Sequence, residues 1–153
     1  MTDAMLDLAN ENAPIIAERV GYANVEFKRG HIEDLKLDMD KLNDWLAANP
    51  VKSAGDMEAM EAEILRLKTD VTMIPDNSID VIVSNCVLNL CPDKDAALKE
   101  IHRILKPGGR LAISDIALKK TLPEAIAKEV AAWTGCIAGA LTIEDNRNKL
   151  SAA

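Results

Sequence analysis

Apolar residues recur at helical spacing from Thr2 to about Glu11 (Met5, Leu8, Ala9), and Thr2 or Asp3 can cap the start by accepting a backbone N–H bond. Pro14 has no N–H to donate, so Ile15 to Val20 is either a kinked continuation or a new short helix, with Gly21 as its stop. Val25 to Lys28 alternates apolar and polar, which predicts a strand, and Gly30 then opens a polar turn through Leu35. Leu42, Trp45 and Leu46 form one helical stripe and Met57, Met60, Ile64 and Leu67 another, with Asn49-Pro50 breaking the run between them. The dense run Ile79, Val81, Ile82, Val83 predicts a strand covered on both faces. Pro92-Asp93 starts a helix from about Lys94 to Leu105, with Leu98, Ile101 and Leu105 inward, ended by Lys106-Pro107-Gly108-Gly109; Arg110 to Ser114 is a second strand. Strand, helix, strand is a right-handed βαβ crossover and implies a parallel sheet. Pro123 starts a helix through about Trp133 with Gly135 as its stop, and Ile137 to Leu141 is a short helix or a buried turn.

With 153 residues, 48% of them hydrophobic and 28% charged, the chain suits one soluble domain with a real core. Only 3% are aromatic, so aliphatic packing carries the interior. The net charge of -7 argues against a nucleic-acid partner, which selects for a basic face. Much of it sits between Asp38 and Asp70, where eight acidic residues face four basic ones, which marks an acidic helical hairpin inserted into the domain. A plainly solvated hairpin is its first reading, and a lid or oligomer contact the second. No run is long and apolar enough for a membrane span and no signal pattern opens the chain, so the cytoplasm is the default compartment. Cys86, Cys91 and Cys136 lack CxxC spacing, which disfavours disulfides and structural zinc and favours reduced thiols. His31 and His102 are isolated and carry no chemistry.

In an open parallel sheet, ligands bind beyond the carboxyl ends of the strands. The loops there are His31 to Asp34, Asn85 to Asn89, and Asp115 to Ala117. Asp76 to Leu90, continuing through Pro92-Asp93-Lys94, resembles the fourth-strand segment of arsenite S-adenosylmethionine methyltransferases. Leu105 to Leu111 is common to many class I methyltransferases, and Thr134 to Leu141 again resembles the arsenite family. The resemblance also reaches Met1 to Asp7 and Gly21 to Leu35, and skips only the insert, about residues 38–73. It implies an α/β, Rossmann-like class I methyltransferase sheet in a single partial domain spanning 1–153, truncated at both ends. The first strand, the glycine-rich loop for the methionine part of the cofactor and the acidic residue for its ribose would precede Met1.

By that resemblance Cys86 and Cys136 match the two cysteines that bind trivalent arsenic, a thiophilic centre that soft thiolates hold better than carboxylates or water. Two thiolates hold the arsenic while its lone pair attacks the sulfonium methyl of S-adenosylmethionine, so catalysis rests on positioning. A third family cysteine is missing, and Cys91 matches none, which leaves it a surface or packing residue. Ile32 and Glu33 match the loop that cradles adenine, and Asn85 would line the cofactor pocket. Read without the family, Cys86 and Cys136 are small buried hydrophobes, Glu33 is a polar loop residue and Asn85 a turn residue. Asp115 reads as a cap before a ligand contact. The implied function is methylation of thiol-bound arsenite, with cofactor binding impaired and little activity in this chain alone. The alternatives are a class I methyltransferase for another small molecule, or a non-catalytic assembly module. The missing first strand would leave Ile79 to Ser84 as an exposed edge, so a homo-oligomer, such as a strand-swapped dimer, is expected rather than a simple monomer.

Overall fold

The computed structural model describes residues 2–127 and 135–153. The chain forms two compact units, Met1–His31 with Leu37–Met73, and Ile32–Lys36 with Ile74–Ala153.

In the first unit, helix α1 (Asp3–Val20) contains Pro14 and runs on as one helix. Proline deprives the Asn10 carbonyl of its N–H partner, and exposure of Asn10 lets water take that place. The helix stops at Gly21, whose φ of 84° suits a residue without Cβ and whose N–H bonds Ala17 O at 2.9 Å. The strand expected at Val25 to Lys28 does not form. No other strand lies in this unit among the described residues, and an extended segment without a ladder partner gains nothing over hydration. Helices α2 (Met39–Ala48) and α3 (Ala54–Asp70) do form. The Asp38 carboxylate accepts from the N–H groups of Asp40 and Lys41, and Ser53 caps α3. Leu42 and Leu67 are their buried anchors. Arg29 ties the unit together through Asp3 at 2.8 Å and Asp40 at 3.2 Å.

The second unit is built on the predicted crossover. Strand β1 (Ile79–Asn85), helix α4 (Lys94–Ile104) and strand β2 (Leu105–Ser114) follow in order, and the strands pair in parallel. β2 begins at Leu105, not Arg110. Ile79 lies opposite Leu105 and Val81 opposite Arg110, so residues 106–109 form an excursion within the strand, turned by Gly108 at φ 81°. Asp93 caps α4 through Ala96 N–H. The helix buries Ala97, Leu98, Ile101 and Ile104, and the first three join Leu88 and Cys91 in a cluster against which Ile32, Ile82, Leu105 and Leu111 pack. Burying a Leu or Ile side chain is worth about 1.5–3 kcal/mol, so this one face of α4 holds the crossover together.

The expectation of a strand covered on both faces fails. Val81 and Val83 remain 55% and 77% exposed, because the cluster that covers β1 meets it only on the side of Ile82. A short helix α5 (Glu124–Ala127) begins where Pro123 predicted one; its expected continuation to Trp133 lies outside the described residues. Ile137 to Leu141 is turn rather than helix. A last helix, α6 (Ile143–Ala152), was not expected. No helix among the described residues is long and apolar enough to cross a membrane.

Candidate functional site

At the carboxyl end of β1 the Cys86 N–H makes the last rung of the sheet, to Ser114 O at 2.9 Å. The backbone then turns to φ 55°, the left-handed region that favours glycine, and leads toward a 3₁₀ turn at Leu88–Leu90. The Cys86 thiol is exposed and lies 3.4 Å from Asn85 Oδ1.

Cys136 reaches the same place from far along the chain. The Leu118 and Ile143 N–H groups bond to Leu141 O and Leu118 O, which brings residues 135–142 beside the exit of β2. Cys136 also has a left-handed backbone, at φ 59°. Its thiol donates to the Cys86 carbonyl at 3.6 Å. The described non-glycine residues with positive φ are Asn77, Cys86 and Cys136. Asparagine tolerates that conformation, whereas cysteine gains nothing from it.

Asn89 joins these loops. It is buried, its side-chain amide donates to Ile116 O at 2.8 Å and to Cys136 O at 3.2 Å, and its N–H meets the Asp115 carboxylate at 3.1 Å. Asp115 thus caps backbone N–H groups, including that of Ile116 at 3.0 Å. Lys94 Nζ donates to Asn89 O and Cys91 O. Partial burial lowers the Lys94 pKa. Cys91 is buried, which raises its thiol pKa, and the Glu33 charge raises it further. It stays a protonated packing residue.

The loop Ile32–Lys36 is held by α4. The Leu35 N–H donates to Glu100 Oε2 at 2.7 Å, and Arg103 grips Glu100, Asp76 and the Ile74 carbonyl. Ile32 is half-buried against the α4 cluster, Glu33 is half-buried and Asn85 is exposed. The Cys136 thiol meets the backbone of Cys86. Ile32, Glu33 and Asn85 lie in the same unit, and of these Asn85 bonds the Cys86 thiol. A cavity of about 250 Å³ lies beside the site, bordered by Asn89, Asp115, Ile113 and Leu150, and neither cysteine lines it.

Sequence reasoning missed the roles of Asn89 and Lys94. A polar residue inside the apolar run Val87 to Leu90 was the available signal for Asn89.

Residues 55–153 match the family described as a methyltransferase domain. The chain belongs to this methyltransferase family. Its α/β fold with two parallel strands is that of a class I methyltransferase. An arsenite methyltransferase of Aquipseudomonas alcaligenes is 36% identical over 95% of this chain and 32% of its own length. The human arsenite methyltransferase is 47% identical over 44% of this chain and 18% of its own. The crystal structure of an arsenic(III) S-adenosylmethionine methyltransferase from Chlamydomonas reinhardtii superposes with a TM-score of 0.69 at 28% identity, covering 99% of this chain and 40% of that one. This methyltransferase chain thus spans about a third of the length of the bacterial relative.

Proposed function

We propose that this chain carries the arsenite-binding thiols of an S-adenosylmethionine-dependent methyltransferase. The observation that carries the reading is the Cys86–Cys136 approach, with the Cys136 thiol on the Cys86 carbonyl and both residues in a backbone conformation that costs about 1–3 kcal/mol each. A soft centre needs thiols that converge from distant parts of the chain, and strain kept at both residues supports a role beyond packing. Each thiol condenses with an As–OH group of arsenous acid, releasing one water per As–S bond, and the arsenic keeps its lone pair for attack on carbon. Cys91 takes no part, being buried and protonated.

For the cofactor, Ile32, Glu33 and Asn85 form a suitable donor set: an apolar side chain, a half-buried carboxylate and an exposed amide at a strand's carboxyl end. Ile32 offers a surface for adenine, Glu33 accepts from its amino edge and Asn85 lines the pocket. When bound, S-adenosylmethionine supplies an electrophilic methyl group on a sulfonium. The glycines, Gly21, Gly30, Gly55, Gly108, Gly109, Gly135 and Gly139, form no glycine-rich loop of the kind that would hold the methionine part, so this chain alone holds that cofactor weakly and transfers methyl slowly or not at all. On this reading residues 1–153 form one partial methyltransferase domain, and 38–73 is an acidic helical insert. Three unbridged cysteines fit a protein of the reducing cytoplasm.

A second reading is favoured by the exposure of Val81 and Val83 and by the unpaired edge of β1 among the described residues. It makes the chain an assembly module whose sheet is completed by a second copy, as a dimer.

Calorimetric titration of the reduced chain with trivalent arsenic tests the proposal, with Cys86→Ser and Cys136→Ser in parallel and S-adenosylmethionine as a second titrant. The expected result is arsenic binding that falls at least tenfold in each variant, with weak cofactor binding. Absence of arsenic binding by the unsubstituted chain overturns the arsenite reading and puts assembly first.

A further inference from the structure

The geometry points to Asn89 as the positioning residue that brings the two thiols together, an inference that rests on the arsenite reading for its chemical purpose but not for its geometry. A carboxamide nitrogen has two N–H donors, and both are used on carbonyls of different loops, Ile116 O at 2.8 Å and Cys136 O at 3.2 Å. The partners lie 27 and 47 residues away in sequence, so no local turn makes this junction.

The rest of Asn89 is fixed as firmly. Its N–H is held by the Asp115 carboxylate and its carbonyl by Lys94 Nζ at 3.4 Å. Gly139, three residues after Cys136, lies so close that a Cβ built there would collide with Asn89 O. The segment carrying Cys136 therefore docks on Asn89 at two points, by a hydrogen bond before the turn and by bare backbone contact after it. Asn89 itself follows Cys86 by three residues, through the 3₁₀ turn. A displacement at Asn89 is thus a displacement of one thiol from the other, while α4 and the β1–β2 pair keep their own packing.

Asn89→Asp is the isosteric test. An ionised carboxylate has no donor and sets negative charge against two carbonyl oxygens and the Asp115 carboxylate. Gly139→Ala is the second variant, because it keeps the amide and removes the room for docking. In a Cys91→Ala background, dibromobimane bridges Cys86 to Cys136 only where both thiols come within its short span, and mass spectrometry of the bridged peptides reads the yield. The expected result is efficient bridging with Asn89 present and at least a tenfold loss in both variants. Both thiols should still react with a monofunctional alkylating reagent, and the far-ultraviolet circular dichroism should be unchanged. Bridging at the original yield in a folded Asn89→Asp chain overturns the proposal, as does absence of bridging before substitution. Where Asn89→Asp does not fold, the Gly139→Ala yield decides in the same way. Arsenic titration of the same proteins separates the two claims: bridging without arsenic binding sinks the arsenite reading and leaves the seat of Cys136 standing.

Discussion

A left-handed backbone at a residue with a Cβ is unfavourable, and its cost at Cys86 can be measured. Glycine at 86 removes both the thiol and the steric conflict, whereas serine removes only the thiol. Thermal unfolding should therefore find Cys86→Gly more stable than Cys86→Ser by about 1 kcal/mol; equal melting would show that the backbone at φ 55° is unstrained. Such a difference would mean that stability is given up at this position to keep a sulfur atom there. At this scale, the candidate thiols were legible before any coordinates. Cys86 stood out because its neighbours on both sides matched one family, and Cys136 for the same reason. Asn89 was hidden. Its role depends on two carbonyls at 116 and 136, and nothing in an asparagine flanked by leucines says which distant backbone it will meet. Gly139 was hidden likewise, since its need for a missing Cβ arises only once Asn89 O lies against it.

Among the elements, α4 was the most legible, because its apolar stripe, its Asp93 cap and the proline before it all agree. Its polar side does further work. Arg103, by its hydrogen bonds, holds the Glu100 carboxyl below the usual glutamate range, and the Leu35 N–H adds to this. A depressed folded-state value contributes stability above the ordinary glutamate range, and that contribution is lost as pH falls through the depressed value. Glu100→Gln should therefore lower stability at neutral pH and flatten its loss on the acid side, as denaturant unfolding between pH 7 and pH 3 would reveal. Parallel curves for the two proteins would show that the Glu100 pairing is immaterial. The misread elements failed for physical reasons. Val25 to Lys28 had the alternation of a strand but no partner strand in its unit among the described residues. The Gly-Gly pair at 108–109 reads as a helix-ending turn, yet Leu105 pairs with Ile79 before the excursion begins. Helix α6 carried a start signal in Thr142, whose hydroxyl accepts from Asp145 N–H and donates to its carboxylate at 2.6 Å. Its weak apolar stripe concealed it.

At the scale of the whole molecule, the negative charge and the parallel crossover were legible from composition and pattern, and the division into two units was not. Contacts between segments distant in sequence decide that division, as when Arg29 meets Asp3 and Asp40. The bare side of β1 was also missed, since a run such as Val81 to Val83 reads as fully buried whether or not anything covers it. That bare side changes what a stability measurement means. If a second copy covers it, unfolding and dissociation are coupled by mass action, and no single melting temperature belongs to the chain. The melting temperature would rise with protein concentration over the micromolar range, and Val83→Lys would make it independent of concentration by placing a charge where the copies meet. A melting temperature already constant across a hundredfold dilution would mean that the valines stay in water, and that the fold bears their exposure unaided.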